Sequence, residues 1–431
     1  MAPRHGPVTR AAVRFAIVYF ALYSTASPII WCLLTWPNGS YVGEHAWYRP
    51  VSWVATHIFG LASAEADKAP SADRLFDLVR VSMFAVMACV VVVLWTLIDR
   101  RIGPDDGRRR DSDDRRRAWL RTGLRFGLGA VLAFYGAIKV FPVQMPAPGL
   151  TRLLQPVGSL SLEELLWTWV GASHPYEQFV GGLELGAALL LFVPQTASLG
   201  ALLAFTETVY ILALDLTYDV VVKLFSVHLV VMASILLAPD VPRLLAVLLH
   251  RKPVPPAPET PLFDGARARR LMMAAQILFG AYVAGVHLMH TRAEWRARDE
   301  PNALMAPLYG AWNVDVMTVD NQVQAPLVTS HQRWRRIVFE DRGAFFQRMD
   351  DTFVTHEAAI DPVRHSVTLT RESDPDGVAT LTFTRSAPER LVLDGQMDGG
   401  AVHLELRWLG RENFPLANHT YRLIQESPHY R

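Results

Sequence analysis

Residues 75–98 read LFDLVRVSMFAVMACVVVVLWTLI, residues 99–120 read DRRIGPDDGRRRDSDDRRRAWL, and residues 121–142 read RTGLRFGLGAVLAFYGAIKVFP. Two apolar runs of bilayer length thus flank a short block of charge. A helix needs about 20 mostly apolar residues to cross the hydrocarbon core. Loops rich in Lys and Arg stay on the cytoplasmic side. The block holds Arg100, Arg101, Arg108, Arg109, Arg110, Arg115, Arg116 and Arg117. It therefore predicts two membrane helices joined by a cytoplasmic loop. Its alternating low-complexity composition reads as disordered, and topology alone accounts for its charge without nucleic acid.

Five more segments qualify as spans, at about 12–35, 178–195, 197–218, 221–238 and 270–290, making seven. Arg251, Lys252, Arg267, Arg269 and Arg270 mark a second cytoplasmic loop, and Arg4 and Arg10 place the N-terminus on the same side. The opposite loops, 36–74 and 143–177, are poor in Lys and Arg. They carry Trp36, Trp47, Trp53, Trp167 and Trp169, which read as an interfacial aromatic belt. The first apolar run passes any small-residue cleavage point, so it reads as an uncleaved anchor. An odd number of spans puts the residues after 290 outside the cytoplasm. The expectation is a multi-pass protein of the inner membrane with an extracytoplasmic C-terminal domain.

Composition agrees: the 431 residues are 51% hydrophobic and 19% charged, with a formal net charge of +1. That is too apolar for an ordinary soluble domain and too charged for a chain wholly in lipid. Cys32 and Cys89 are the only cysteines, both in apolar runs and without a CxxC spacing, which argues against thiol redox chemistry and a disulfide scaffold. The prolines at 253, 255, 256, 258 and 261 read as a linker before the last helix.

Beyond His290 the period changes. Trp312, Val314, Val316 and Thr318 alternate, as do Val367 and Leu369, Leu381 and Phe383, Leu391 and Leu393, and Val402, Leu404, Leu406 and Trp408. Period two marks half-buried strands. Turn sequences at 373–377 and 398–400 join neighbouring strands. Eight to ten strands fit between 310 and 426. They predict an all-β antiparallel meander, barrel-like because closure removes exposed edges. The predicted division is 1–118 (two helices and the Arg-rich loop), 119–250 (a four-helix core), 251–292 (linker and last helix) and 293–431 (the β domain).

The chain has four lysines among 42 basic residues, and two of them, Lys139 and Lys223, lie within or beside apolar runs. Ionisable groups inside a membrane are costly and mark function by default. By the predicted orientation, Lys139, Glu184, Asp219, Lys223 and His228 gather near the outer ends of their helices, with Glu207 and Asp215 on the same stripe as Asp219. Carboxylates, lysines and an imidazole together can move protons or hold a polar head group. These five are the candidate catalytic residues. Tyr135, Trp167 and Tyr218 are the candidate cofactor-binding residues. The competing reading makes Lys139 pair with Glu184 or Asp219 to lock helices and lets Lys223 snorkel to the interface. No metal-ligand spacing or phosphate loop occurs, and no metal is expected.

The stretches YGAIKVFPVQM (135–145), LWTWVGAS (166–173), FVGGLE (179–184) and LTYDVVVKLFSVH (216–228), together with the chain end YRLIQESPHYR (421–431), resemble the DoxX family of integral membrane proteins, in a long form with a C-terminal β domain. The resemblance implies a four-helix membrane core with two helices before it and one after. Some DoxD-type relatives form part of a thiosulfate:quinone oxidoreductase. The functional expectation is an outer-leaflet polar pocket that binds a quinone or a lipid and is able to support membrane redox chemistry. Its alternative is a non-enzymatic envelope factor whose β domain binds a periplasmic protein partner.

Overall fold

The computed structural model of this chain describes residues 6–35, 40–61, 73–101, 106–254, 262–263, 265–299, 307–330, 332–340, 343–371 and 374–418. It divides into two compact units. One comprises Met1–Gln144 and Pro175–Ala293, and the other Met145–His174 and Glu294–Arg431. The segment 145–174, expected within the four-helix core, therefore belongs with the β domain.

The first unit is helical: α1 (Pro7–Thr25), α2 (Pro28–Leu34), α3 (Ser40–His57), α4 (Leu75–Arg101), α5 (Asp106–Val140), α8 (His174–Phe192), α9 (Ala197–Thr217), α10 (Lys223–Leu237), α11 (Val241–Leu248) and α12 (Ala266–Asp299). Among the described residues four helices are long and apolar enough to cross a membrane, in α4, α5, α9 and α12. The number is up to six if the bent pairs α1–α2 and α10–α11 each count as one span. Seven spans were expected. The difference is α8, whose polar first turn, with Glu177 and Gln178, and inner Glu184 dilute its apolar run.

The bends have local causes. Pro28 opens α2 and holds Ser27 extended, which breaks the first pair by 76°. Pro239 and Pro242 flank the break of 70° between α10 and α11. The Arg-rich block is not disordered from residue 106 onwards: it forms the first turns of α5, where Arg116 pairs with Asp113 one turn away at 2.9 Å. Along α4 the side chains of Val86, Val90, Val93, Leu94 and Ile98 are exposed. An uncovered valine–leucine helix of this kind requires an apolar surrounding. Of the expected interfacial tryptophans, Trp53 and Trp169 are exposed, and Trp36 lies outside the described residues. Trp47 packs inward, its ring edge-on to Phe84 and its indole N–H donating to Thr25 Oγ1 at 2.9 Å.

The second unit is a closed antiparallel barrel. Its strands are β1 (Gly310–Val319), β2 (Gln322–Val323), β3 (Trp334–Glu340), β4 (Gly343–Arg348), β5 (Phe353–Asp361), β6 (Ser366–Arg371), β7 (Asp374–Ala387), β8 (Arg390–Met397) and β9 (Gly400–Leu409). Each of the larger strands pairs with the next in sequence, and β9 returns to β1, with Trp312 opposite Trp408. Eight strands close the barrel, and β2 is a two-residue extension on β1. Most of the alternation foreseen in the sequence fills the interior: Trp312, Val314, Leu369, Leu381, Leu393 and Leu404 form one buried cluster, joined by Ile337, Phe339 and Phe346, while a bulge between Val314 and Val316 buries Met317 in place of the expected Val316 and Thr318. The last expected strand positions, beyond 418, and the chain end at 421–431 lie outside the described residues.

Two short helices of the inserted segment, α6 (Leu150–Leu154) and α7 (Leu162–Gly171), belong to this unit. Glu340 of β3 accepts from the first amides of α6, Leu150 N at 2.8 Å and Thr151 N at 3.2 Å. Leu150 packs on Ala311 and Val338 on the barrel's outer wall. A carboxylate at a helix N-terminus meets both the free amides and the positive end of the dipole. Ser161 and Glu164 cap α7 reciprocally, as the S-x-x-E spacing dictates.

His356 of β5 lies in the barrel wall opposite Ala344 and Arg371, buried at 2% exposure with its ring edge-on to Phe346. Burial, and next the Arg371 charge, hold its pKa below the ordinary 6.5, while the Val354 carbonyl and Asp398 pull the other way. The unfolded chain then takes up a proton near pH 6.5 that the folded ring does not. Stability falls as pH drops below that value, until the folded pKa is passed. Limited proteolysis of the full chain should show cleavage within 310–409 rising from about pH 8 to about pH 5. His356→Leu should flatten this rise, and an unchanged rise in the variant would assign the acid sensitivity elsewhere.

Candidate functional site

The helix crossing of α5 with α8 is set by two glycines. A Cβ on Gly181 would lie 2.6 Å from the Lys139 Cβ and 2.7 Å from the Gly136 carbonyl oxygen; a Cβ on Gly136 would meet the Gly181 oxygen at 2.8 Å. Small residues at such a crossing let two backbones touch. That approach places Lys139 of α5 against Glu184 of α8. Lys139 Nζ donates to both carboxylate oxygens, at 2.7 and 2.8 Å, with the residues exposed by only 7% and 1%. The Tyr135 ring lies 5.4 Å from the ammonium and 6.4 Å from the Phe225 ring of α10. Of the two partners open to Lys139 in the sequence, Glu184 holds it.

Lys223 and Asp219 form a second group. Asp219 takes a left-handed conformation, φ 56°, in the α9–α10 turn, and its carboxylate accepts from Lys223 Nζ at 2.7 Å. Asp219 is largely exposed, so this pair adds little stability. The stronger contact there was not foreseen. Asp73 accepts from the first two amides of α10, Lys223 N at 2.7 Å and Leu224 N at 2.8 Å, capping a helix 150 residues away in sequence. Three residues on, the Ser226 hydroxyl donates to buried Asp215.

His228, one turn deeper in α10, has partners of its own. Its Nδ1 lies 2.5 Å from the Leu224 carbonyl oxygen and its Nε2 2.7 Å from Tyr19 Oη. A carbonyl only accepts, so Nδ1 carries the proton. In the neutral ring Nε2 then accepts from the tyrosine hydroxyl. The ring stacks on Tyr23 with centroids 3.8 Å apart. Tyr218 is half-buried at the end of α9. Trp167 lies on α7, in the other unit. The eight expected site residues thus divide into the Lys139–Glu184 pair with Tyr135, the Lys223–Asp219 pair, His228 with Tyr19, and Tyr218 and Trp167 outside these groups. Glu207 of α9 has both carboxylate oxygens enclosed without a hydrogen-bond partner.

A cavity of about 1150 Å³ opens in the helical unit, walled by α1, α5, α10 and α12 and floored by the start of α9. Of the candidate residues only His228 lines it, beside Tyr19 and Phe20. Its rim carries Arg117, Arg121, Arg243 and Arg269. Arg117 and Lys139 are 22 positions apart on α5, roughly 33 Å of helix. Neither Lys139 nor Glu184 lines the cavity, whose α5 wall ends at Arg125. Other polar side chains of the unit are committed elsewhere. Arg14 of α1 is 6% exposed, pairs with Asp99 and donates to Thr96 at 3.2 Å on α4. Arg125 donates to the last carbonyls of α8, Leu191 O at 2.9 Å and Phe192 O at 3.4 Å. His287 lies 2.8 Å from the Cys32 carbonyl, which accepts from its Nε2. Cys32 is buried and Cys89 exposed, and both are free. Among the described residues no three His, Cys, Asp or Glu side chains converge as metal ligands.

No protein-family model matches the chain, and no solved structure matches it. The uncharacterized protein YwoB of Bacillus subtilis (strain 168) is 42% identical over 76 residues, which are 18% of this chain and 49% of that protein. The match spans about half the length of that relative.

Lys139→Met leaves Glu184 as a lone buried carboxylate, a change that costs about 3–5 kcal/mol when one partner of a buried pair is removed. Thermal melting in detergent should show the loss, and the double change Lys139→Met with Glu184→Gln should recover much of it. Gly181→Val should also destabilise, by forcing α5 and α8 apart. A Lys139→Met protein that melts like the parent would show that the pair holds nothing together.

Proposed function

We propose that this chain is a multi-pass inner-membrane protein of DoxX-like type whose helical unit binds a membrane lipid or quinone. The observation that carries the reading is the cavity of about 1150 Å³, apolar along α1 and α10 and ending at the Tyr19–His228 pair. Ligand pockets are mostly apolar with few placed polar groups, and a hydroxyl hydrogen-bonded to an imidazole is such a group. A quinone carbonyl or a lipid ester reaching this depth would compete with His228 Nε2 for the Tyr19 hydroxyl proton, beside a ring able to exchange protons.

This places the ligand near His228 rather than between Lys139 and Glu184. That pair is closed on itself and serves the packing of α5 on α8. The Arg-rich end of the helices faces the cytoplasm by the positive-inside rule, and the β barrel stands on the extracytoplasmic side. The DoxX-like resemblance supports the same family plan, a membrane helical core followed by a β domain.

Native mass spectrometry of the detergent-purified chain should reveal a co-purified lipid or quinone. Val231 lines the cavity and is 41% exposed, so Val231→Trp should fill the space without disturbing the core and expel the ligand. A parent protein without any bound lipid or quinone would overturn the reading.

For topology, a phosphatase fused at residue 431 should be active outside the cytoplasm, and one fused at residue 110 silent. The reverse pattern would invert the orientation.

A further inference from the structure

The cavity is not evenly polar. Arg117, Arg121, Arg125, Arg243 and Arg269 line it against Asp114 and Asp240, so the wall carries an excess of positive charge. Some of this charge is committed. Arg125 serves the α8 carbonyls and lies 3.4 Å from Gln276 Oε1. Asp240 accepts from Ser198 at 2.7 Å and lies 3.5 Å from Arg243. Arg121 is held loosely: its nearest acceptors are the Leu236 carbonyl at 3.4 Å and Asp240 at 3.8 Å. Arg269 is exposed at the rim. The cationic groups come from α5, α12 and the α11 end of α10–α11, so three elements converge their guanidinium groups on one mouth. Away from that mouth the wall is apolar, with Val13, Ala16 and Val231, as far as Tyr19 and His228.

A planar guanidinium matches phosphate oxygens two at a time. Several of them around a mouth that leads into an apolar channel match a molecule that is anionic at one end and hydrocarbon at the other. The volume exceeds the ~300–1,000 Å³ of pockets for drug-sized ligands, which leaves room for a chain behind a head group. We propose that the cavity is a site for a phosphate-headed membrane lipid. Its head group sits among Arg121, Arg243 and Arg269, and its chain runs past Val13 and Val231 towards His228. This rests on the lipid-binding reading and narrows it from any lipid or quinone to an anionic lipid drawn from the leaflet at the Arg-rich end. Anionic lipids concentrate in the cytoplasmic leaflet, the side that the Arg-rich loops select.

The test is lipid retention by the full chain in detergent. It is titrated with phosphatidylglycerol, with phosphatidylcholine and with inorganic phosphate alone, and read by native mass spectrometry and thermal shift. Both lipids carry the phosphate, but the choline of phosphatidylcholine brings a cation against the arginines, so the parent should prefer phosphatidylglycerol by roughly tenfold or more. Inorganic phosphate alone should give no shift. Arg121→Glu should erase the preference, and Arg269→Glu, at an exposed position that folding tolerates, should weaken it. Arg267→Glu, exposed and outside the cavity, should leave it intact. Val231→Trp should remove binding of every lipid.

Equal retention of both lipids, unchanged in Arg121→Glu and Arg269→Glu, would overturn the anionic head group while sparing the lipid-binding reading. A quinone retained in place of phospholipid would do the same. A shift with inorganic phosphate equal to that with phosphatidylglycerol would make the ligand a free anion and overturn the lipid. No retention of any lipid or quinone would sink both readings.

Discussion

The constraint on which the helical unit depends is that a charge removed from water must find its counterpart within hydrogen-bond reach. An unpaired ion in a low-dielectric interior costs several kcal/mol after relaxation, as much as a domain's whole margin of stability. Several buried charges among the described residues are answered by a particular partner, whereas the Glu207 carboxylate has no hydrogen-bond partner for either oxygen. Lys139 is closed on Glu184, Arg14 on Asp99, and the Arg125 guanidinium on the exposed carbonyls at the end of α8. Asp73 spans 150 residues to satisfy the first amides of α10. These contacts decide which helices are neighbours: α5 with α8, α1 with α4, and the segment before α4 with α10. Apolar packing alone has no directional preference and would accept several arrangements. The polar pairs select among them, although each contributes little net energy over a well-packed apolar substitute.

The same accounting separates structural charge from available charge. Lys139 and Glu184 saturate each other in a bidentate contact sealed by glycine backbones on both helices. A ligand competing for either group would first have to break it. The arginines at the cavity mouth are different. They outnumber the aspartates beside them, and Arg121 makes only long contacts. A region that keeps an excess of one charge next to an apolar channel has field and space to offer to a ligand. The ionisable groups of the helical unit are therefore of two kinds, and position in an apolar run does not distinguish them.

Much of the β domain was legible in the sequence because strand alternation is local. Val402, Leu404 and Leu406 state their buried face within five residues; on β1 the alternation holds for Trp312 and Val314 but a bulge between Val314 and Val316 buries Met317 in place of Val316 and Thr318, and these two strands close the barrel. The Lys139–Glu184 pair was legible for a related reason: charges in apolar runs are few, and so are their possible partners. Other features depend on tertiary context. Arg14 and Asp99 lie at span ends, where charges usually meet water, and nothing local says that α1 and α4 pack there. Asp73 sits in a loop that reads as unstructured. The segment 145–174 looked like the loop between two spans. Its attachment to the barrel rests on Glu340 capping α6, a contact across 190 residues. The Arg-rich block was misread because low complexity suggests disorder, whereas its opposite charges fall three apart and favour a helix.

The candidate residues were grouped on the assumption that charges at one depth share one site. Depth is a single coordinate, and a helical bundle has two more. Asp219 sits in the exposed turn before α10 and Lys223 opens that helix, and their pairing spends a flexible lysine on a solvated carboxylate. Five residues along the same helix, His228 faces Tyr19 and Tyr23 of α1 and opens on the cavity. Five residues advance a helix by well over one full turn, about 500°, so adjoining positions in sequence serve different faces. His228 is thus the residue at which the sequence expectation and the cavity meet. It owes this to its partner on α1 and not to the lysines and carboxylates grouped with it. The imidazole is fixed by a backbone carbonyl on one side and a tyrosine hydroxyl on the other. That leaves the ring oriented at the apolar end of the cavity.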